Sequence, residues 1–204
     1  MVRPMGFFRK TGRDIVRVSD GILQLVSFQK SGWCGGDFCV NYVSMLLFVP
    51  AEYVVLEPGG RLSGVGVGGP GRWWQSATHE QADDSMSQVV DAFKAEAVPF
   101  FESTRSVAGL LKHLLSIARH DHHYEFSRGA CFARLGFINE ATRSLRRAVE
   151  LYIEDGRPSC ADYAEQTTRL LRACEARGAA ATPGRLGAVF SIEAWPREAL
   201  GLTG

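Results

Sequence analysis

The densest set of metal-ligand side chains is His120-Asp121-His122-His123, with His113 seven residues before His120. Imidazoles and a carboxylate are suitable zinc donors, and a spacing of seven puts His113 and His120 on one helix face. The cluster falls at a link between apolar stripes and lacks the glutamate-containing pattern of a metallohydrolase. Histidine stabilising a helix end explains it more simply, so no metal is expected; His113, His120, His122 and His123 are the candidates if one binds. A second polar group, Gln29, Lys30, Trp33, Asp37 and Asn41, lies in or beside strand-like sequence. Amides are less common in strands than in loops. If the register brings Gln29 and Asn41 together, they can hold a small polar group or a peptide carbonyl; otherwise they satisfy edge and loop backbone. Trp73-Trp74 closes a stretch containing Gly59, Gly60, Gly64, Gly66, Gly68, Gly69 and Gly71. Two indoles on such a segment read as a lid or binding edge, or as a plug on the core. The stretch lacks a phosphate loop's ending and a dinucleotide fingerprint's strand-to-helix context, so nucleotide binding is rejected and no cofactor is expected. No serine or cysteine, Ser31 and Ser63 included, has a base at a suggestive spacing, so the balance leans away from an enzyme.

Composition narrows the classes further. The 204 residues are 46% hydrophobic and 22% charged, which is ordinary globular usage. Lys and Arg total 23 against 22 for Asp and Glu, a net +1 that gives no general attraction to nucleic acid or anionic membrane. The local run Arg3, Arg9, Lys10, Arg13, Arg17, with Phe7 and Phe8, does not overturn that balance, so nucleic acid is not expected as a partner. Arg143, Arg146 and Arg147 read as a solvated helix face. The five cysteines match no closed zinc pattern. Cys131 and Cys174 fall on apolar helix faces, where a buried free thiol is the default. Cys34 and Cys39 flank a turn and are expected reduced, in a cytoplasmic protein. The longest apolar stretch, Val43 to Pro50, is too short to span a bilayer, so no membrane contact is expected.

The elements that must position these groups change character part-way along. Ile15 to Val18, the Asp20-Gly21 hairpin signal, Ile22 to Lys30 and Phe38 to Val49 follow strand periodicity and predict an antiparallel meander. A fourth strand is expected from Arg61 to Val67. Met86, Val89, Val90, Phe93 and Ala97 then recur at helical spacing, and the stripe should end before Pro99. Ser106 should cap a helix with Val107, Leu110, Leu111, Leu114, Leu115 and Ala118 inward. Further helices are expected from Tyr124 to Leu135, from Asn139 to Asp155, and from Ser159 to Arg177. Gly136, with Ala141 and Ala148, makes Tyr124 to Tyr152 look like one tetratricopeptide-style hairpin, without a visible repeat. The expected fold is α+β: an antiparallel meander followed by a helical array, as an α+β domain over 1–118 and a helical extension over 119–204.

Met5-Gly6-Phe7-Phe8-Arg9-Lys10, Leu23 to Ser31 and Phe38-Cys39-Val40-Asn41 resemble the opening of an uncharacterised, largely bacterial family, domain of unknown function 4304. The likeness continues at Arg61-Leu62, Trp73-Trp74 and Val98-Pro99-Phe100-Phe101 and covers roughly residues 3–115. The resemblance implies an α+β architecture and supplies no chemistry. It also implies a helix ahead of the Gly-Phe motif, whereas this chain starts almost on top of it.

Two function classes result. The first is a non-catalytic protein-interaction module with a protein partner. The second is an enzyme or small-ligand binder using Gln29, Asn41, Trp73 and Trp74. A sheet apolar on both faces and short of one cover is also expected to self-associate as a homodimer, with Phe7, Phe8 and the tail around Trp195 near the contact.

Overall fold

The computed structural model describes residues 3–32, 36–49, 58–64 and 71–179. They fall into two compact units: 3–32, 36–45, 58–64 and 71–105 form the first, and 46–49 and 106–179 the second.

The first unit is built on an antiparallel sheet in the order β1 (Phe8–Arg9), β2 (Asp14–Ser19), β3 (Ile22–Lys30), β4 (Asp37–Leu46) and β5 (Gly59–Arg61). Asp20 and Gly21 take positive φ values of 46° and 74°, and Ser19 pairs with Ile22. That is the two-residue turn whose twist matches the strands it joins. β5 pairs with Asn41 to Val43 on the outer edge of β4. β6 (Trp74–Gln75) pairs lower on the same strand, at Asp37 and Phe38. The strand expected over 61–67 is therefore shorter and earlier, and 65–67 lie outside the described residues. β4 stops at Leu46 rather than Val49; Leu46 to Val49 stay buried and belong to the second unit, where Arg134 lies 5.7 Å from the Phe48 ring.

Helix α1 (His79–Ala92) is capped by Thr78, whose side chain accepts from the Gln81 amide. It continues without a break through a π-helical turn, Phe93–Ala97, into α2 (Val98–Ser103). The expected stop before Pro99 does not occur. The turn widens, with Val98 N–H reaching the Phe93 carbonyl, and Pro99 falls in the first turn of α2, where a missing N–H is tolerated. Phe7, Val26, Phe38, Val40, Tyr42, Leu62, Trp74, Phe93 and Phe101 pack into one core between the sheet and this helix. Met86, expected inward, is 41% exposed, and Ser85 is buried instead, bonded to the Gln75 carbonyl.

On the sheet face away from this helix, Val16, Leu23, Leu25, Cys39 and Val43 are also buried within the single chain. These are the strands on which the homodimer expectation rests. Phe7, placed near a dimer contact by the same argument, is buried in the core; Trp195 lies outside the described residues.

The second unit contains α3 (Val107–Ser116), α4 (His122–Leu135), α5 (Ile138–Asp155) and α6 (Pro158–Ala179). Ser106 caps α3 as expected, but Leu115 points outward at 57% exposure. Gly136 and Gly156 end α4 and α5 in the left-handed conformation. Asn139 is not a cap, because α5 starts one residue earlier behind Phe137. α4 and α5 approach closely at Gly129, where an added Cβ would stand 2.6 Å from Leu145 Cγ. No helix among the described residues is long and apolar enough to cross a membrane.

Candidate functional site

β3 and β4 place Gln29 and Asn41 on the sheet face away from the helix, and the register brings their amides together. Asn41 Nδ2 donates to Gln29 Oε1 at 3.3 Å. Opposite Asn41 on β5 stands Arg61, whose Nε donates to Asn41 Oδ1 at 3.3 Å. The Arg61 guanidinium lies 5.1 Å from the ring of Trp73, which is 41% exposed. Cys39, two residues from Asn41, completes the row; its thiol donates to Gln29 Oε1 at 3.8 Å. Burial pushes the Cys39 thiol above its ordinary pKa, and the nearby Arg61 charge only partly opposes this, so it remains a protonated thiol at neutral pH.

Beside this row the same face opens into a groove of about 470 Å³. Val16, Leu23 and Leu25 supply its apolar floor, and Ser27, Gln29 and Asn41 its polar end. Lys10, Thr11 and Arg13, from the turn between β1 and β2, form the rim together with Asp14 at the start of β2. That turn is held by the Thr11 hydroxyl, which accepts from the amides of Arg13 and Asp14 and donates to Asp14 Oδ2 at 2.9 Å. Asp14 Oδ1 accepts from Ser27 at 2.8 Å. The one rim carboxylate is thus engaged on both oxygens, while Lys10 and Arg13 are exposed.

The segment carrying Arg61 is anchored from the other face. Glu96, in the π-helical turn and 1% exposed, accepts from Ser63 N–H at 3.0 Å, Ser63 Oγ at 3.0 Å and Gly64 N–H at 2.8 Å. A regular helix would carry residue 96 to a different angle, so the π turn and the anchor belong together. Arg17 stands in the same unit with Gln24, the Met5 carbonyl and Glu102. These are structural ties.

Gln29, Asn41 and Trp73 therefore share one neighbourhood. Trp74 does not: it is 1% exposed in the core, because strand alternation turns it to the opposite face from its neighbour. Lys30 is exposed at the end of β3 and by the same alternation faces away from Gln29. Trp33 lies outside the described residues. Arg61, Asp14 and Ser27 carry no site signal in the sequence, and Lys10 and Arg13 stand out there only as part of a local basic run; the pairing of non-adjacent segments places them here. The histidines are not gathered on one point among the described residues. His120 Nδ1 is 2.8 Å from Glu125, His122 Nε2 is 3.1 Å from Asp155, and His123 Nδ1 is 2.9 Å from the Tyr152 hydroxyl. His113 lies on α3, where burial lowers its pKa.

Residues 1–103 match the family described as Domain of unknown function (DUF4304). The chain belongs to this family. No curated protein and no solved structure matches it. The DUF4304 match ends at Ser103, the last residue of α2, so it takes in the sheet, the π-interrupted helix and the whole groove. The helices from α3 onward lie beyond the DUF4304 region.

Proposed function

We propose that this protein is a non-catalytic protein-interaction module whose DUF4304 domain receives an extended segment of a partner in the groove. The observation that carries this is the combination of an apolar floor with a rim whose exposed charges are the cations Lys10 and Arg13. A segment presenting an aliphatic side chain beside a carboxylate fits both. The groove's polar side chains also bond to one another rather than converging on a reacting centre. The described cysteines, Cys39, Cys131, Cys160 and Cys174, all have raised pKa values and are poor nucleophiles. They are free thiols, which supports action in the reducing cytoplasm. The α4–α5 hairpin, closed over Gly129, adds a tetratricopeptide-like stacking element to the same module.

The test is an array of peptides varying in acidic and aliphatic content, probed with the labelled chain and with a Lys10→Glu/Arg13→Glu variant. Binding should concentrate on peptides carrying both features and drop about tenfold or more in the variant. Equal binding by both proteins, or no acidic preference, sinks the reading.

The Asn41–Arg61 bond beside Trp73 favours a second reading, a small-ligand site at the polar end of the groove. There a panel of small carboxylic acids and amides should raise the melting temperature, and Asn41→Leu should abolish the shift. A panel without effect removes this alternative.

A further inference from the structure

We propose that the second unit carries a divalent-metal site formed by His122, Asp155 and Cys160. Asp155 and Cys160 flank one inter-helix turn and His122 comes from the start of α4, so all three are delivered by helix ends. Asp121 caps α4 through the Tyr124 amide, which sets His122 on the first helical residue. Gly156 ends α5 immediately after Asp155. Pro158 opens α6, and Cys160 N–H bonds the Arg157 carbonyl at 2.8 Å, turning the cysteine back toward Asp155. One imidazole nitrogen, one carboxylate oxygen and one sulfur then lie within 4.8 Å of one another.

The donors suit a borderline-soft ion. Nitrogen, oxygen and sulfur together match zinc and cobalt(II) better than magnesium or calcium, and three protein ligands leave a position for water. Ligand bonds of about 2.0–2.3 Å place neighbouring donors roughly 3.3–3.8 Å apart in a tetrahedron. The 3.1 Å between His122 Nε2 and Asp155 Oδ2 is close to that spacing, and the sulfur lies within 4.8 Å of the other two donors. The imidazole is held in place by stacking on Tyr152, with ring centroids 4.6 Å apart and planes 9° apart. Cys160 is 3% exposed, which shields the sulfur from competing chemistry.

Two features weaken the site. Arg157 grips Asp155 with two bonds, at 2.5 and 2.7 Å, and must let go of at least one oxygen. Its side chain is 65% exposed, so it is free to swing into water. His122 Nδ1 is buried without a hydrogen-bond partner among the described residues, so the outer shell that normally orients a metal-bound histidine is thin. Both features set the affinity below that of a closed structural zinc site. Because the thiol must lose its proton, binding strengthens as pH rises.

The same contacts would exist in a purely structural turn, and Arg157 separates the two. The test is a titration of the tag-free, reduced, chelator-stripped full chain with cobalt(II), followed by absorption. A thiolate-to-cobalt charge-transfer band should grow to one equivalent, with visible bands of a four-coordinate ion, and zinc should bleach both. Cys160→Ser should remove the charge-transfer band. Asp155→Asn should weaken binding by about tenfold or more. Arg157→Ala should tighten binding by releasing the carboxylate, whereas a structural turn predicts only lost stability. Circular dichroism of each variant establishes that it is folded, and His122→Gln provides a second ligand deletion. No charge-transfer band in the folded chain, a band that survives Cys160→Ser, or no tightening in folded Arg157→Ala overturns the proposal.

Discussion

Replacing Glu96 by alanine removes a buried carboxylate that serves three donors at once: Ser63 N–H, Ser63 O–H and Gly64 N–H. The hydroxyl can rotate toward another acceptor, and Gly64 is exposed enough for water to replace its bond. Ser63 is 3% exposed, so water does not readily replace the carboxylate at its amide. Losing a buried bond to a charged acceptor costs about 1–3 kcal/mol. Losing the side-chain carbons beside Ala97 and Phe93 adds about 1 kcal/mol more, and relief from holding a charge out of water offsets part of the total. The net expectation is a loss of about 2–3 kcal/mol for Glu96→Ala and about 1 kcal/mol for Glu96→Gln, which keeps one acceptor. Urea unfolding followed by tryptophan fluorescence reads this, because Trp74 lies in the same core. Amide exchange should also quicken at Ser63 and Gly64 before it quickens on α1. A Glu96→Ala protein within about 0.5 kcal/mol of the parent, with Ser63 still protected, would refute the reasoning that these bonds hold the Arg61 segment.

Other perturbations test other parts of the molecule. Arg128 is 5% exposed; it donates to the Leu114 and Ile117 carbonyls at the end of α3 and pairs with Glu125 at 2.7 Å. Arg128→Met should cost about 3–5 kcal/mol in thermal or urea unfolding, and adding Glu125→Leu should recover part of it, because the stranded charge is then gone. Gly129→Ala should destabilise the α4–α5 contact by about 1–3 kcal/mol, since its Cβ would collide with Leu145; a neutral result in a melting experiment would mean the helices separate easily. Burial, then the neighbouring His122, lowers the His123 pKa from 6.5 to about 4. The folded chain therefore binds fewer protons than the unfolded chain across that window. This contribution to stability is present above pH 6.5 and is lost as pH falls toward about 4. Replacing His123 by phenylalanine should flatten that part of a stability-versus-pH curve, and an unchanged curve would contradict the assignment.

Local chemistry made much of the framework legible. Asp20-Gly21 specifies its hairpin because both residues tolerate positive φ, and Gly136 ends α4 for the same reason. Ser106 caps α3 through a bond to a residue three positions away. Period-2 and period-3.6 patterns separated sheet from helix, since each follows from backbone geometry within one element. The motifs spread from Met5 to Phe101 carried the family, and with it the α+β architecture. What escaped the sequence depended on partners far away in it. Pro99 reads as a stop until a π turn places it in the first turn of α2. Trp73 and Trp74 read as a pair until pairing with β4 sends one to the core and the other to solvent. Gln29 and Asn41 could be named from their residue types, but their meeting, and the arrival of Arg61 beside them, required the register of three strands. Likewise Asp155 and Cys160 sit in one turn, and only the packing of α4 against α5 brings His122 to them, 33 residues before Asp155 in the chain. Backbone preference acts over a few residues, whereas a site is assembled by burial, which joins whichever distant apolar faces cover one another.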